Sequence, residues 1–319
     1  MGNAYAMLAA WLSARARHEP ILLRIEDIDV PRAIPDADRW IMDDLTWLGL
    51  DWDGEPVYQS QRLDLYEGVF HLLRDADPSP LYPCFCSRAE IRAASAPQEG
   101  DRFIIYPGIC RRLLAHDPHE VRRRLDAGVR HSWRFAVPPA GTPQSQILFD
   151  DRVFGAQNFD LGAELGDVVL RRSDSLFSYQ LVVTVDDLLM GVTDIVRGRD
   201  LLRSTALQIA VREQLLALGV GGADSPAAVP GYAHLPLLDN AAGVRLAKRT
   251  RSLDLGVLRA QGVKPQQVVG YCAWVLGLVP QPCAMSAGEA LSAFSWQRVR
   301  AHAADVRVPD DLPARLLRL

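Results

Sequence analysis

The sequence predicts an α/β protein: an open, largely parallel sheet with helical crossovers, interrupted by an inserted module and followed by a helical C-terminal region. Three observations predict it. Short apolar runs that read as buried strands alternate with stretches of helical periodicity. From about residue 81 to 163 the alternation gives way to cysteines, prolines and a charged helix, and beyond Ser252 the pattern is helical. A chain of 319 residues can bury one large core and a smaller second one.

In chain order, residues 4–17 have helical periodicity, and the chain enters this helix directly at Gly2-Asn3-Ala4 with no strand-like run before it. Ile21–Ile25 reads as a short buried strand. Asp36–Leu48 reads as a helix ended by Gly49, and Arg62–Leu73 as another. The Gly/Pro segment Pro138–Pro143 belongs to the insertion. The α/β rhythm then returns as strands at Asp167–Leu170, Ser178–Val183 and Val192–Val196 and a long helix at Leu201–Leu218. Gly219–Pro230 is a loop, and helices follow near Leu253–Ala260, Pro265–Leu276 and Ala287–Phe294, the second opening on a proline suited to a helix start.

Composition narrows the function classes. The net charge of -4 argues against holding nucleic acid by bulk electrostatics. A local excess remains: Arg111, Arg112, Arg122, Arg123, Arg124, Arg130 and Arg134 face only Asp117, Glu120 and Asp126, which fits either a solvated helical face or contact with an RNA backbone. The apolar runs are short and are broken by Asp186 and Asp187, so no membrane span is expected. No secretory signal is visible at the start, and a cytoplasmic location is expected. Five cysteines in a chain of this length do not form a disulfide framework; Cys272 and Cys283 read as buried or half-buried thiols.

Three constellations carry chemistry. Arg24-Ile25-Glu26-Asp27-Ile28-Asp29 lies at the carboxyl end of a predicted strand, the edge where open parallel sheets bind ligands. A carboxylate there can accept from a ligand ammonium while Arg24 holds a neighbouring acid, although a solvated strand-to-loop junction has the same composition. Cys84, Cys86 and Cys110 can supply three thiolates to a tetrahedral zinc, with Tyr106 or, more conventionally, His116 or His119 as the fourth ligand; free or redox-active cysteines fit the spacing too. Gly243–Arg249 carries Arg245, Lys248 and Arg249 in a loop that can surround a triphosphate or simply face solvent. Neither a Walker loop nor a dinucleotide fingerprint accompanies it.

Together these segments resemble the glutamyl branch of the class I aminoacyl-tRNA synthetases, and more closely its short paralogues, which lack the anticodon-binding region. Arg24–Asp29 looks like the family's R-I-E-D-x-D segment, followed by Leu48–Asp53 and Tyr58–Arg62. Gly166–Arg172 resembles the strand leading to the amino-acid pocket, Tyr179-Gln180-Leu181 and Gly191–Gly198 resemble the pocket segments, His234–Leu237 precedes the phosphate loop, and Gly243–Arg249 resembles the second nucleotide signature, KMSKS. In that signature Arg245 stands at the first lysine and Ala247 at a serine, while Lys248 keeps the principal charge. The resemblance spans residues 2 to about 250.

The resemblance implies a class I synthetase-like Rossmann-type fold divided at 1–80, the first half of the nucleotide-binding domain; 81–163, the zinc-bearing insertion; 164–230, its second half; and 231–319, the phosphate loop and a helical stem-contact-like region. It implies that Glu26, Tyr179 and Arg197 hold glutamate, that Gly2, Asn3, Arg245 and Lys248 meet ATP, and that Lys248 acts on the phosphates. It favours Cys84, Cys86, Tyr106 and Cys110 as ligands of one Zn2+, through a C-x-C and Y-x-x-x-C order. Met1-Gly2-Asn3 looks like the last positions of the first nucleotide signature, whose preceding strand, with an arginine for glutamate and histidines for ATP, would lie upstream.

Only about 70 residues follow Arg249, too few for the anticodon-binding region of the longer branch. The short paralogues activate L-glutamate with ATP, with Mg2+, in the absence of tRNA and transfer it to the queuosine base at the wobble position of tRNA(Asp). The implied protein is therefore an ATP-dependent ligase, expected as a monomer. The alternatives are a catalytic fragment of a glutamyl-tRNA synthetase and a non-catalytic RNA- or zinc-binding homologue.

Overall fold

The computed structural model describes residues 1–29, 34–94, 105–221, 229–240, 243 and 254–319. Helix α1 (Gly2–Arg15) leads to β1 (Arg24–Ile25) and α2 (Ala37–Leu48). The last stops at Gly49, whose φ of 76° lets its N–H turn back onto the carbonyls of Leu45 and Thr46. Strand β2 (Val57–Tyr58) runs parallel to β1, and α3 (Leu63–Asp75) buries Tyr66, Val69, Phe70 and Leu73 along one face.

The next stretch holds β3 (Leu81–Cys84), α4 (Arg88–Ala94), α5 (Ile109–His116), α6 (Pro118–Asp126), β4 (Ser132–Phe135), β5 (Gln146–Asp151), β6 (Gly155–Asp160) and β7 (Val168–Arg171). Helix α6 starts where it does because Asp117 caps the Glu120 N–H at 2.9 Å and Pro118 needs no hydrogen-bond acceptor. Strands β3, β4 and β7 form an antiparallel sheet in that order.

Then come α7 (Tyr179–Leu189), β8 (Asp194–Gly198), α8 (Leu202–Ala217), β9 (Gly231–Leu235) and β10 (Leu238–Asp239). The chain closes with α9 (Leu255–Ala260), α10 (Pro265–Val275), α11 (Ala287–Ala293), α12 (Trp296–Ala301), β11 (Val306–Arg307) and α13 (Leu312–Leu316). A four-stranded sheet has the order β6-β5-β9-β8; β8 and β9 are parallel, β9 meets β5 in parallel through Tyr232 and Asp151, and β5 and β6 form a hairpin.

Two expectations change. Ser178–Val183 is not a strand but the start of α7, with Ser178 extended at its N-cap. The run Leu181-Val182-Val183-Thr184-Val185 is β-branched after Leu181 and buried throughout, so it lacks the polar face by which a helix announces itself. The sheet is also mixed: β7, read as the return of the parallel rhythm, pairs antiparallel with β4. The insertion thus shares a sheet with the segment that follows it.

Two large cores hold the chain together. One packs α1 against α10, α11 and α13 through Leu8, Leu12, Val268, Ala290 and Leu316; the other joins α3, α7 and α8 through Phe70, Leu181, Leu207 and Leu215. Helix α1 therefore bridges the α/β part and the C-terminal helices. Cys272 is buried in the first core, which pushes its thiol up to about 12, whereas Cys283, expected to be at least half-buried, is exposed. None of the described helices is long and apolar enough to cross a membrane.

Candidate active site

Glu26, Tyr179 and Arg197, from three separate parts of the sequence, line one cavity of about 690 Å³. Glu26 follows the carboxyl end of β1, Tyr179 opens α7, and Arg197 sits near the carboxyl end of β8, so the cavity lies where an α/β sheet presents its ligand edge. Arg24 and Asp187 also line it. Partial burial pushes the Tyr179 phenol above its ordinary range, with Glu26 and Asp187 adding to the shift and Arg197 opposing it. A cavity with a carboxylate, a phenol and a guanidinium on separate walls suits a zwitterion with a second carboxylate.

Each side chain has support behind it. Arg24 Nη1 donates to Asp187 Oδ1 at 2.6 Å, and its Nη2 reaches Glu26 Oε1 at 3.4 Å. The neighbouring Asp186, fully buried, accepts from Gln59 at 3.0 Å, Arg62 Nε at 2.9 Å and Tyr66 Oη at 2.8 Å. Arg197 donates through Nη2 to Thr205 Oγ1 and Gln208 Oε1, both at 2.7 Å, and through Nε to His234 Nε2 at 3.3 Å. Asp194, also on the cavity wall, accepts from Ser13 Oγ at 2.6 Å and pairs with Arg17 and Arg152, which ties α1 to β8.

The sulfurs of Cys84, Cys86 and Cys110 lie within 4.8 Å of one another, on β3, just beyond it and at the start of α5. Tyr106 Oη is 3.5 Å from Cys84 Sγ and 3.6 Å from Cys86 Sγ, and Cys86 and Cys110 Sγ are 3.5 Å apart. A tetrahedral zinc with bonds of about 2.0–2.3 Å separates its ligands by roughly 3.5–3.8 Å, so this donor set fits the ion. His116 and His119 are exposed and take no part in the cluster. The Arg134 guanidinium lies 3.8 Å over the Tyr106 ring and holds it against β4.

The arginine-rich stretch is largely engaged in contacts within the insertion and with the segment that follows it. Arg111 pairs with Asp167, Arg112 donates to the Pro107 carbonyl, Arg123 and Arg124 pair with Glu120, Arg130 meets Ser173, and Arg134 is buried on the Asp167 carbonyl. Gly2 and Asn3 are exposed at the start of α1. Arg245 and Lys248 lie outside the described residues; Gly243, at the start of their loop, has a φ of 75° and sits beside Arg307 of β11.

Residues 1–295 match the catalytic-domain family of class I tRNA synthetases for E and Q. The chain is 43% identical over 289 residues to the glutamyl-Q tRNA(Asp) synthetase of Nitratidesulfovibrio vulgaris, covering 88% of this chain and 83% of that one. The enzyme of the same name from Symbiobacterium thermophilum is 42% identical over 329 residues, covering 99% and 94%. The chain belongs to the glutamyl-Q tRNA(Asp) synthetases. A glutamate tRNA ligase from Elizabethkingia meningosepticum, solved in complex with its amino acid, shares the fold with a TM-score of 0.76 at 24% identity, over 99% of this chain and 65% of that one.

Several residues around the cavity of this glutamyl-Q tRNA(Asp) synthetase were not singled out from the sequence. Asp187 had a local signal, since two acids inside a buried apolar run demand partners. Asp151, Thr205 and Gln208 had none, and His234 was named only as the first residue of the segment His234–Leu237; the four meet only where β5, α8 and β9 converge behind Arg197.

Proposed function

We propose that this chain activates L-glutamate with ATP, without tRNA, and transfers it to the queuosine base at the wobble position of tRNA(Asp). The single observation that carries the reading is the meeting of Glu26, Tyr179 and Arg197 on one cavity in a chain of this family. Glu26 meets the substrate ammonium, Tyr179 hydrogen-bonds it, and the planar fork of Arg197 clamps a carboxylate.

In the first step a glutamate carboxylate oxygen attacks the α-phosphorus of ATP, releasing pyrophosphate and leaving glutamyl-adenylate. In the second, a hydroxyl of the queuosine cyclopentenediol attacks the activated carbonyl and AMP leaves. Positioning and charge stabilisation dominate such transfers. Lys248 and Arg245 are assigned to the ATP phosphates and Gly2 and Asn3 to the nucleotide, with Mg2+ accompanying ATP.

Cys84, Cys86, Tyr106 and Cys110 would hold one zinc. With four protein ligands such a site is closed and organises the insertion without entering the reaction.

The test is glutamate-dependent exchange of pyrophosphate into ATP, followed by transfer to tRNA(Asp) with and without queuosine. Exchange without tRNA and transfer only to the queuosine-containing form are expected, and Lys248→Ala should abolish exchange. Transfer to the 3' end of tRNA(Glu) would instead identify a glutamyl-tRNA synthetase activity. Absence of exchange would leave an RNA- or zinc-binding homologue.

A further inference from the structure

Behind Arg197 lies a polar chain, Asp151, His234, Thr205 and Gln208, whose own residues do not line the cavity. Asp151, at the end of β5, and His234, on β9, are 2 % and 0 % exposed. Asp151 Oδ2 accepts from the His234 backbone N–H at 2.9 Å and lies 2.7 Å from His234 Nδ1; its Oδ1 accepts from the backbone N–H groups of Val153 and Phe154, both at 2.9 Å. Four donors converge on one buried carboxylate, which holds Asp151 below its ordinary range against the cost of burial. An ionised carboxylate only accepts, so Nδ1 of His234 carries the proton and, in a neutral ring, Nε2 is left as an acceptor.

That acceptor faces Arg197 Nε at 3.3 Å and Thr205 Oγ1 at 3.0 Å. Thr205 and Gln208 receive Arg197 Nη2, and Gln208 is itself fixed by a 2.8 Å bond to Gln180, beside Tyr179. This scaffold engages Nε and Nη2 of a guanidinium whose side chain also lines the cavity beside Tyr179.

We propose that His234, anchored by Asp151, is a positioning residue for the amino-acid substrate: its neutral imidazole accepts from Arg197 and sets the angle at which the guanidinium meets a glutamate carboxylate. The inference rests on the reading of Arg197 as that clamp. It makes glutamate binding acid-sensitive at a group that never touches glutamate. A protonated ring turns an N–H toward the Arg197 N–H and places two cations in contact, which displaces the fork from its working angle.

Among the described residues the charged groups around the ring are Asp151 on β5, Arg197 on β8 and Asp200 after it; Tyr232 stacks on one side at 6.2 Å, and α8 contributes the neutral Thr205. Burial pushes the imidazole below its ordinary 6.5; Asp151 opposes the shift and Arg197 adds to it. The neutral form therefore holds at pH 7.5 and at 6.5, and is lost only as the pH falls through the folded value below 6.5.

Calorimetric measurement of the glutamate Kd between pH 8 and 5.5, with the ATP Kd in parallel, tests this. For the native chain the glutamate Kd should stay flat down to about pH 6.5 and rise at lower pH as His234 protonates, while the ATP Kd is unchanged. His234→Gln, which cannot titrate and loses the Asp151 anchor, should bind glutamate about tenfold more weakly at pH 7.5, with no further loss on acidification. An unchanged glutamate Kd in His234→Gln, or an acid rise that persists in it, overturns the proposal. If His234→Gln does not fold, a native glutamate Kd that rises at no pH at which the chain stays folded overturns it alone. Arg197→Lys separates the two readings: no effect on glutamate binding removes Arg197 as the clamp, whereas weakened binding in Arg197→Lys beside a silent His234→Gln removes only the relay.

Discussion

Arg24 and Asp187, 163 residues apart in the chain, meet at 2.6 Å and join β1 to α7. The same guanidinium lies 3.8 Å from Asp186 Oδ2 and 3.4 Å from Glu26 Oε1, so one arginine fixes both the helix that carries Tyr179 and the carboxylate assigned to the ammonium. Both partners are mostly buried, at 17% and 12% side-chain exposure, and burial makes the loss of one partner expensive. Asp187→Ala should destabilise the fold by about 3–5 kcal/mol and Asp187→Asn by less. Urea denaturation reads the difference; a loss below about 1 kcal/mol for Asp187→Ala would show that the pair does not hold α7 in place.

Metal content gives a second prediction. Folded, reduced protein should contain about one zinc per chain, since four donors converge at tetrahedral spacing. Cys84→Ser should lose it and lower the Tm through the cluster that packs Tyr82, Cys84, Tyr106 and Cys110 together. Tyr106→Phe should weaken zinc retention in a chelator competition. Retention equal to that of the native chain would remove the phenol from the ligand set.

Stability should fall with acid in two steps of known sign. The folded His234 imidazole lies below its unfolded 6.5, so the folded state binds fewer protons; that contribution is complete above 6.5 and is lost as the pH falls through the folded value. Asp151 is held below 3.8, so its contribution is present above 3.8 and lost at lower pH still. Unfolding free energies at pH 7.5, 6 and 5 should decline, and the decline should be shallower in His234→Gln. Equal slopes would assign the acid sensitivity to other groups.

Gly270 should reverse the usual rule for a helix interior. Gly to Ala ordinarily stabilises a helix by about 1 kcal/mol. In α10, however, an added methyl group would overlap the Cys283 carbonyl oxygen, where the chain returns to hydrogen-bond Met285 N–H to the Gln266 carbonyl at 2.9 Å. Gly270→Ala is expected to destabilise by about 1–3 kcal/mol, measured by urea denaturation. A stabilised variant would mean that the 283–285 segment moves aside freely.

Much of the helical architecture is legible because its signals are local. Gly49 ends α2, Asp117 and Pro118 open α6, and Pro265 opens α10, each within a turn of the boundary it marks. The misreading of Ser178–Val183 has an equally local cause, since a wholly buried helix and a buried strand share one apolar pattern. The pairing of β7 with β4 leaves no such trace, because strand partners are chosen by packing across the insertion.

By itself the sequence determined the family, the α/β class, most helix boundaries and the residue types available for a glutamate site and a metal cluster, because these follow from periodicity, end signals and motif order. Tertiary structure alone decided which side chains share a cavity and what orients them. Asp151 and His234 stand 83 residues apart, and Arg197 meets His234 across 37. The carboxylate fixes the ring, and the ring fixes the guanidinium, only when β5, β8 and β9 lie side by side with water excluded from between them.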